Sequence, residues 1–300
     1  MASIREMRQR IRSVKNLAQV TKALETVSAS YVRKATQKVQ ASRPYADKAW
    51  ELLLHLASQP GHTNLHPLLA NRPEVNSILV VMITSDRGLA GAYNINMFRE
   101  VYNRFGKSPV PVSYVAVGKK GRDMLIRRRM SLIADFIHLP GSVSYIDVSP
   151  IGRLVVDDFL KGDFDEVYLG YTHFHSMARQ EPTITRLLPL EVKAAQENGR
   201  YGKVEETNHR SVFSYEPGQE ELLSDLVPRF ISLQVYHAVL SAQASEHAAR
   251  MVAMRNASDN ASELIKHLNL EYNKVRQNMI TNDMLEIAGG AEALSQAAEE

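Results

Sequence analysis

The sequence has no cysteine among its 300 residues, and this absence excludes several kinds of chemistry. Disulfide bonds, thiolate metal sites and cysteine nucleophiles all require a thiol. The chain also lacks a long hydrophobic run, because its longest, SILVVMITSD, falls short of the roughly 20 apolar residues that a membrane span needs. No apolar signal-peptide core follows Met1. We therefore expect a soluble or peripheral protein without thiol regulation.

The overall composition is that of an ordinary globular protein, with 44% hydrophobic and 23% charged residues. The formal net charge of +3 is unevenly distributed, since residues 1–40 hold nine lysines and arginines against two acids. Four interpretations of this basic arm remain open: a solvated helix face, or a surface for an acidic protein, nucleic acid or an anionic membrane.

A long stretch near the C-terminus, residues 246–285, contains neither glycine nor proline. Apolar and small residues recur along it at alternating steps of three and four, which is the heptad period of a helix that pairs with another helix. The stripe is narrower than the apolar face of a typical globular surface helix. Its members are Met251, Met254, Ser258, Ala261, Ile265, Leu268, Tyr272, Val275 and Met279.

The N-terminal segment shows a similar helical spacing. Its stripe consists of Ile4, Met7, Ile11, Val14, Ala18 and Thr21. Pro44 predicts a kink or a break after Arg43, because proline lacks an amide donor and crowds the preceding turn. Pro228 similarly predicts a bend near the start of the C-terminal helix. We expect the two terminal helices to pair antiparallel.

The middle of the chain alternates short apolar runs with helical patterns. This alternation predicts an α/β domain with a Rossmann-like, mostly parallel sheet. Its last two strands are separated by only a short loop, so we expect them to be antiparallel. The sequence thus predicts an N-terminal coiled-coil helix over residues 1–58, an inserted α/β domain over 75–207, and a C-terminal helix over 216–295.

Two motifs in the predicted α/β domain could suggest a ligand site. SDRGLAGAYN follows a strand and opens a helix, but Gly88 and Gly91 lack the third glycine of a dinucleotide fingerprint and no P-loop lysine follows. We interpret it as a tight turn in which Asp86 and Arg87 make local contacts. His173 and His175 lie on one side of a strand without a third ligand of clear spacing.

Other polar pairs do not combine into a catalytic set. Ser142 and Ser144 lack the context of a nucleophile elbow, and Asp157 with Asp158 are typical of helix-surface acids. We therefore expect no catalytic residues, no cofactor and no metal.

The segments that begin at Ile4 and at Ser245 resemble the two ends of the gamma subunit of the F-type ATP synthase. SDRGLAGAYN and GKKGRD resemble the central motifs of that family in the same order. The C-terminal signature is matched by Ile280, Thr281, Asp283, Glu286, Gly290 and Ala291. Asp283 replaces a usual glutamate, Ala90 stands where many members have cysteine, and the paired regulatory cysteines of chloroplast members are absent.

The resemblance implies a non-catalytic rotor shaft inside a hexamer of alpha and beta subunits. The α/β domain would form a foot on the epsilon subunit and the c-subunit ring, at the cytoplasmic face of a bacterial plasma membrane. Proton or sodium flow through that ring would then be coupled to ATP synthesis or hydrolysis on the beta subunits. Membrane association would be indirect, through the c ring.

The resemblance also assigns contact residues. Contacts with beta would involve Arg276, Gln277, Lys22, Leu24, Asp283 and Glu286. The segment around Lys22, Ala23 and Leu24 is expected to face Asp283 to Glu286. Contacts with epsilon and the c ring would involve Phe213, Tyr215 and Glu216.

Two alternative functions follow from the residues alone. One is an α/β enzyme with helical arms, which is disfavoured because the predicted strand ends lack a catalytic set. The other is a nucleic-acid-binding coiled coil, which is disfavoured because the basic arm lacks interleaved aromatics or a reading motif. One observation separates these two alternatives from the rotor shaft. A shaft copurifies with alpha and beta chains, an enzyme turns over a small molecule, and a nucleic-acid-binding coil copurifies with nucleic acid.

Overall fold

The computed structural model describes residues 4–58, 67–70, 72–190 and 219–299. The protein divides into two compact units. One, the coil unit, comprises Met1–Val27 and Met251–Glu300; the other, the α/β unit, comprises Ser28–Arg250. The division of the sequence into three domains stays a prediction, and its boundaries at 207 and 216 lie outside the described residues.

Five helices and five strands cover most of the described chain. In chain order they are α1 (Ile4–Ser58), β1 (Ile78–Ile83), α2 (Tyr93–Phe105), β2 (Val112–Val117), α3 (Lys119–Arg127), β3 (Ser131–Phe136), α4 (Tyr145–Lys161), β4 (Glu166–Phe174), β5 (Gln180–Leu188) and α5 (Gln219–Glu299). All of the strands and helices expected in the central region are present.

Both long helices continue through a proline. Pro44 lies inside α1 and Pro228 lies inside α5, so a break after Arg43 is wrong, and the alternative of a kink there stays a prediction. Pro44 is exposed, and the Gln40 carbonyl that loses its amide partner is also at an exposed position, where water can bind it. The bend at Pro228 stays a prediction.

The five strands form one sheet in the order β3-β2-β1-β4-β5. The pairs β1–β2, β1–β4 and β2–β3 are parallel, whereas β4–β5 is antiparallel. This confirms the expected mostly parallel sheet and its antiparallel last pair. Helices connect the parallel strands, which is the usual way to join strands that run in the same direction.

The sheet has a core on each face, and successive residues of a central strand point into opposite cores. Leu79, Val81 and Ile83 of β1 pack in one core with residues of α4 and the first part of α5. Val80 and Met82 pack in the other core with residues of α2 and α3. The α/β unit therefore has three layers, with α4 and α5 on one side and α2 and α3 on the other.

Helices α4 and α5 approach closely where α4 has a glycine. A Cβ on Gly152 would lie 2.3 Å from the Ser232 hydroxyl oxygen and 2.8 Å from the Ser232 Cα. A larger residue would therefore push the two helices apart.

The start of α4 is fixed by a capping box between Ser144 and Asp147. The Asp147 side chain accepts a hydrogen bond from the Ser144 amide at 2.8 Å.

Candidate functional site

The coil unit contains an antiparallel pair of helix segments with a defined register. Arg8 of α1 donates from Nη2 to the Tyr272 hydroxyl of α5 at 2.8 Å, and Arg255 donates from Nε to Glu25 Oε1 at 3.0 Å. In both pairs the residue numbers add to 280, as a uniform antiparallel register requires. The expected antiparallel pairing of the terminal helices is therefore present in this unit.

The seam of this pair follows the heptad pattern that the sequence predicts. Met7 and Ile11 of α1 are buried, as are Met254 and Ala261 of α5. Thr21 is a buried polar member of the seam, and its hydroxyl donates to carbonyls one turn earlier in its own helix. Because its hydrogen bond is local, this polar group is satisfied without widening the seam.

Met279, the last expected member of the seam, is 53% exposed. The register gives the reason. Ile4, the first described residue of α1, lies opposite position 276 of α5, so the α5 residues beyond that position have no described partner on α1. Residues 276–291 are all exposed, and we call this stretch the free end of α5.

Most of the residues expected to contact beta lie on this free end. Arg276, Gln277, Asp283 and Glu286 are exposed, and the Gln277 carbonyl accepts a hydrogen bond from the Thr281 hydroxyl at 3.0 Å. Their side chains are thus accessible to another molecule. Their role in contacting beta stays a prediction.

Lys22 and Leu24 lie elsewhere on the coil, and the expectation that they face Asp283 to Glu286 is wrong. The register places them opposite residues near Ser258 instead. A rise of 1.5 Å per residue separates Ser258 from Asp283 by about 40 Å along the helix. The Lys22 side chain is 67% exposed and Leu24 is half-buried. The two sets therefore form separate surfaces.

Glu25 carries a charge into the seam that sequence reasoning missed. Its side chain is only 8% exposed and is bound by Lys22 Nζ at 3.1 Å and by Arg255 Nε at 3.0 Å. The hydrogen bond from Lys22, followed by that from Arg255, lowers the pKa of Glu25. The sequence does contain one indication of this role, because Glu25 is one of only two acids within the basic first 40 residues.

Phe213, Tyr215 and Glu216, the residues expected to contact epsilon and the c ring, lie outside the described residues.

In the α/β unit, the SDRG turn is held by contacts with the segments after β2 and β3. Asp86 accepts hydrogen bonds from the backbone amides of Lys119 and His138, each at 2.9 Å. The next amides of α3 are also satisfied, since Lys120 donates to the Ser85 carbonyl and Gly121 donates to the Thr84 hydroxyl. Protein groups thus satisfy the first amides of α3, whereas the helix that the motif itself opens is α2. The motif is a structural turn, although its contacts reach further than expected.

The same turn is joined to α5 by a buried ionic network that sequence reasoning also missed. Arg250 donates to the Gly88 carbonyl at 3.3 Å and to Glu246 Oε1 at 2.6 Å. Burial raises the pKa of Glu246, and the adjacent guanidinium opposes that rise. Burial, with a contribution from Arg250, lowers the pKa of His247 to about 4, and this ring stacks on Tyr31 with 4.8 Å between centroids.

His173 of β4 and His175, which follows the strand, do lie together. The ring centroids of His173 and His175 are 4.6 Å apart, and His175 Nε2 lies 3.3 Å from a Glu181 carboxylate oxygen. Within residues 4–190 and 219–299, apart from their masked positions, no group of three or more histidines and acids has the arrangement of a metal site. Across the described residues, no helix combines the length and apolar character that a bilayer crossing requires.

Comparison with known proteins gives a match along nearly the whole chain. The family model described as ATP synthase matches residues 3–294. The ATP synthase gamma chain of Dehalococcoides mccartyi strain CBDB1 is 44% identical over 299 residues, which cover 98% of this chain and 100% of the relative. The chain belongs to the ATP synthase gamma chain family. The gamma chain of Roseiflexus castenholzii is 45% identical, with 99% and 100% covered.

Solved rotor structures share the fold of this gamma chain. A chain in the Euglena gracilis mitochondrial ATP synthase OSCP/F1/c-ring structure has a TM-score of 0.70 at 23% identity, with 99% of this chain and 96% of that chain covered. A chain of the Tetrahymena thermophila mitochondrial ATP synthase central stalk/c-ring has a TM-score of 0.61 at 26% identity, with 80% and 99% covered.

Family membership confirms the resemblance and decides between the alternatives. A gamma chain is the rotor stalk of ATP synthase and is not a catalytic subunit. Neither an α/β enzyme with helical arms nor a nucleic-acid-binding coil is supported by the relatives.

Proposed function

We propose that this gamma chain couples ion flow through a membrane ring to ATP synthesis or hydrolysis by turning inside a hexamer of alpha and beta subunits. The observation that carries the proposal is the free end of α5, which extends beyond the paired part of the coil with its side chains exposed. A shaft needs such a surface, because its outer residues must meet a surrounding sleeve rather than a core of its own.

The free end is suited to contacts that form and break. Met284, Leu285 and Ile287 are 65%, 66% and 73% exposed. Ile280, Met284 and Ile287 share one side of the helix, and the acidic Asp283 and Glu286 lie on the neighbouring side. The surface that a sleeve meets therefore differs from one side of the helix to the other. An asymmetric shaft of this kind favours one beta conformation over another by differential contact.

We assign the contacts with beta to two sets of residues. Arg276, Gln277, Asp283 and Glu286 lie on the free end, and Lys22 and Leu24 lie in the paired part of the coil. Arg276 provides guanidinium donors for carboxylates or carbonyls, and Gln277 both donates and accepts. Charge-assisted hydrogen bonds contribute on the order of 1.5 to 3 kcal/mol each. That magnitude is enough to bias a conformation and small enough to be broken in every turn.

The remaining partners in this proposal are epsilon and the c ring. We assign their contacts to the segment that contains Phe213, Tyr215 and Glu216. The Euglena and Tetrahymena neighbours come from structures that include a c-ring, and the Dehalococcoides and Roseiflexus relatives are bacterial. These comparisons support a location at the cytoplasmic face of a bacterial plasma membrane, where the protein is held through the c ring.

The test is the double substitution Arg276→Ala with Gln277→Ala in a complex reconstituted with alpha and beta chains. We expect normal assembly and a severalfold lower steady-state rate of ATP hydrolysis and synthesis. A matched control, Lys266→Ala with Asn269→Ala, removes one cation and one amide from exposed positions within the paired part of α5. Equal rates in the double variant and the parent would remove Arg276 and Gln277 from the mechanism.

The isolated chain provides a second test. Purified without beta, it should hydrolyse no nucleotide, because catalysis belongs to the beta subunits. ATPase activity that persists after every trace of beta chain is removed would contradict the proposal. Copurification of alpha and beta chains at native expression levels would support it.

A further inference from the structure

The C-terminal end of α3 forms an exposed basic surface that the rotor role does not use. Arg127, Arg128 and Arg129 follow one another there and are all exposed. Ile126 is 56% exposed and Tyr102 of α2 is 42% exposed beside them. We call these five residues the basic corner.

The positive charges of the basic corner are not neutralised by nearby acids. Asp123 and Asp135, two carboxylates close to this helix, both pair with Arg122, at 3.0 Å and 3.5 Å. Among the residues that the structure describes, none of the three corner arginines has a carboxylate within ion-pair distance. Three guanidinium groups are therefore available to an external anion.

One of these groups is held in place by an aromatic ring. The Arg128 guanidinium lies 5.7 Å from the centroid of the Tyr102 ring, which is stacked on Phe98 with 6.1 Å between centroids. A cation over an aromatic face loses less conformational freedom when it binds a partner. The stack therefore presents Arg128 to an anion in a restricted orientation.

Arg129 occupies a backbone position that favours glycine. Its φ is 55°, its amide donates to the Ile126 carbonyl at 3.0 Å, and the Met130 amide donates to the Leu125 carbonyl at 3.1 Å. These two bonds are those of a Schellman motif, in which the left-handed residue after the helix is usually glycine. An arginine there costs free energy, so its presence calls for a reason outside helix termination.

We propose that the basic corner binds the phosphate headgroups of anionic lipids, so that the gamma chain has a direct membrane contact of its own. The inference rests on the proposed function for its location beside a membrane. Guanidinium groups next to an exposed isoleucine and a tyrosine are typical of surfaces that lie at the headgroup boundary. An acidic protein segment is the competing occupant, and acidic peptides are therefore included in the test.

The absence of cysteine allows a direct test on the full chain. An environment-sensitive fluorophore is attached at Ile126→Cys and, as a control, at Leu17→Cys, which is 55% exposed on the basic arm of α1. Vesicles of phosphatidylcholine are used with and without phosphatidylglycerol. We expect a blue shift at position 126 only, with anionic vesicles only, that salt reverses because the attraction is electrostatic.

Charge variants locate the binding surface. Arg127→Gln, Arg128→Gln and Arg129→Gln together should weaken vesicle binding about a hundredfold, given about 1 kcal/mol per basic residue near an anionic surface. The matched control, Arg10→Gln, Arg12→Gln and Lys15→Gln, also reduces the formal net charge from +3 to zero and should bind as the parent does. Equal losses in the two triple variants would overturn the proposal, since they would show a general charge effect.

Arg129→Gly separates binding from folding. Glycine suits the left-handed position, so this variant should melt at a higher temperature than the parent and yet bind anionic vesicles about fivefold more weakly. Unchanged vesicle binding, equal binding to neutral vesicles, or binding of acidic peptides in place of vesicles would each overturn the proposal. The triple arginine variant should still assemble with alpha and beta and hydrolyse ATP, so a failure of the membrane contact is distinguishable from a failure of the rotor assignment.

Discussion

The coil unit and the α/β unit bury their apolar residues to different depths. In the α/β unit, Leu79, Met97 and Ile151 are completely buried. Among the described apolar residues of the coil unit, the deepest are Met7 and Ala261, each still 5% exposed. The α/β unit therefore has a core of its own, whereas the coil unit has only a seam between two helix segments.

The difference shows how each unit obtains its stability. A three-layer sheet domain gains free energy from apolar area on both faces of the sheet. Two paired helices bury one narrow stripe and leave large apolar side chains such as Val20 and Leu270 exposed, at 56% and 70%. We infer that the coil unit depends on its surroundings in the assembled enzyme more than the α/β unit does.

The strongest test of this contrast removes a large side chain from the α/β core. Phe159 is 1% exposed, and Phe159→Ala should lower the free energy of unfolding by about 3 to 5 kcal/mol, because it leaves a cavity. Urea denaturation followed by circular dichroism measures the change. The adjacent Leu160→Ala, at a position 47% exposed, should change stability by less than about 0.5 kcal/mol. Similar values for the two variants would mean that the core is not closely packed.

A substitution in the seam should have a smaller effect on the chain alone. Leu268 is half-buried between the helices, so Leu268→Asp places a carboxylate in an apolar contact and should cost about 1 to 3 kcal/mol. It should also reduce the yield of complex with alpha and beta. Leu270→Asp, at a position 70% exposed, is the matched control and should leave the thermal melt of the chain unchanged. A normal yield of complex from Leu268→Asp would contradict the assignment of Leu268 to the seam.

The pH dependence of stability tests the buried network of the α/β unit. Burial lowers the pKa of His247 from an ordinary 6.5 to about 4, so the unfolded chain binds a proton at this residue before the folded chain does. Stability from this group is therefore present above pH 6.5 and is lost as the pH falls from 6.5 towards 4. The loss should reach about 2 kcal/mol, with allowance for the partial exposure of the ring.

His247→Phe keeps an aromatic ring for the stack on Tyr31 and cannot titrate. The difference in unfolding free energy between this variant and the parent should thus change with pH only inside that window. A difference that is constant between pH 4 and pH 6.5 would show that the folded chain protonates His247 normally.

The smallest effect is expected from the ion pair that crosses the coil. Arg255 is 60% exposed although Glu25 is buried, so water screens the pair from one side. A double-mutant cycle with Glu25→Gln and Arg255→Gln should give a small favourable coupling that about 0.5 M salt removes. A coupling that salt does not affect would mean that the pair is shielded more than the exposure of Arg255 indicates.

Periodicity was sufficient to predict the elements of both units. The continuous apolar run of β1 and the heptad stripe of α5 each reflect a strong physical preference, namely burial on both faces of a central strand and burial along one seam. The antiparallel β4–β5 pair followed from loop length alone. A break at Pro44 did not occur, because local sequence does not show whether the lost hydrogen bond will be exposed to water.

The register and the buried charges could not be predicted in the same way. A heptad stripe indicates that two helices pair but leaves open which turn lies opposite which, and so Lys22 was placed opposite Asp283 incorrectly. Glu25 binds Arg255 and Arg250 binds the Gly88 carbonyl, and no spacing signal indicates these distant partners. Nor did any pattern reveal that Asp86 joins the segments after β2 and β3, since the strand order that brings them together is a property of the fold.

The constant register of the coil also limits how the length of the chain can vary. One residue inserted into α5 between Arg255 and Tyr272 would rotate everything beyond it by about 100°, and the seam residues would turn towards solvent. An insertion of seven residues would restore the stripe to nearly its original side, since two turns of helix take about 7.2 residues. We therefore expect length differences among gamma chains to be in multiples of about seven residues within the paired part of the coil. Beyond Arg276, where no seam has to be kept, we expect insertions and deletions of any length.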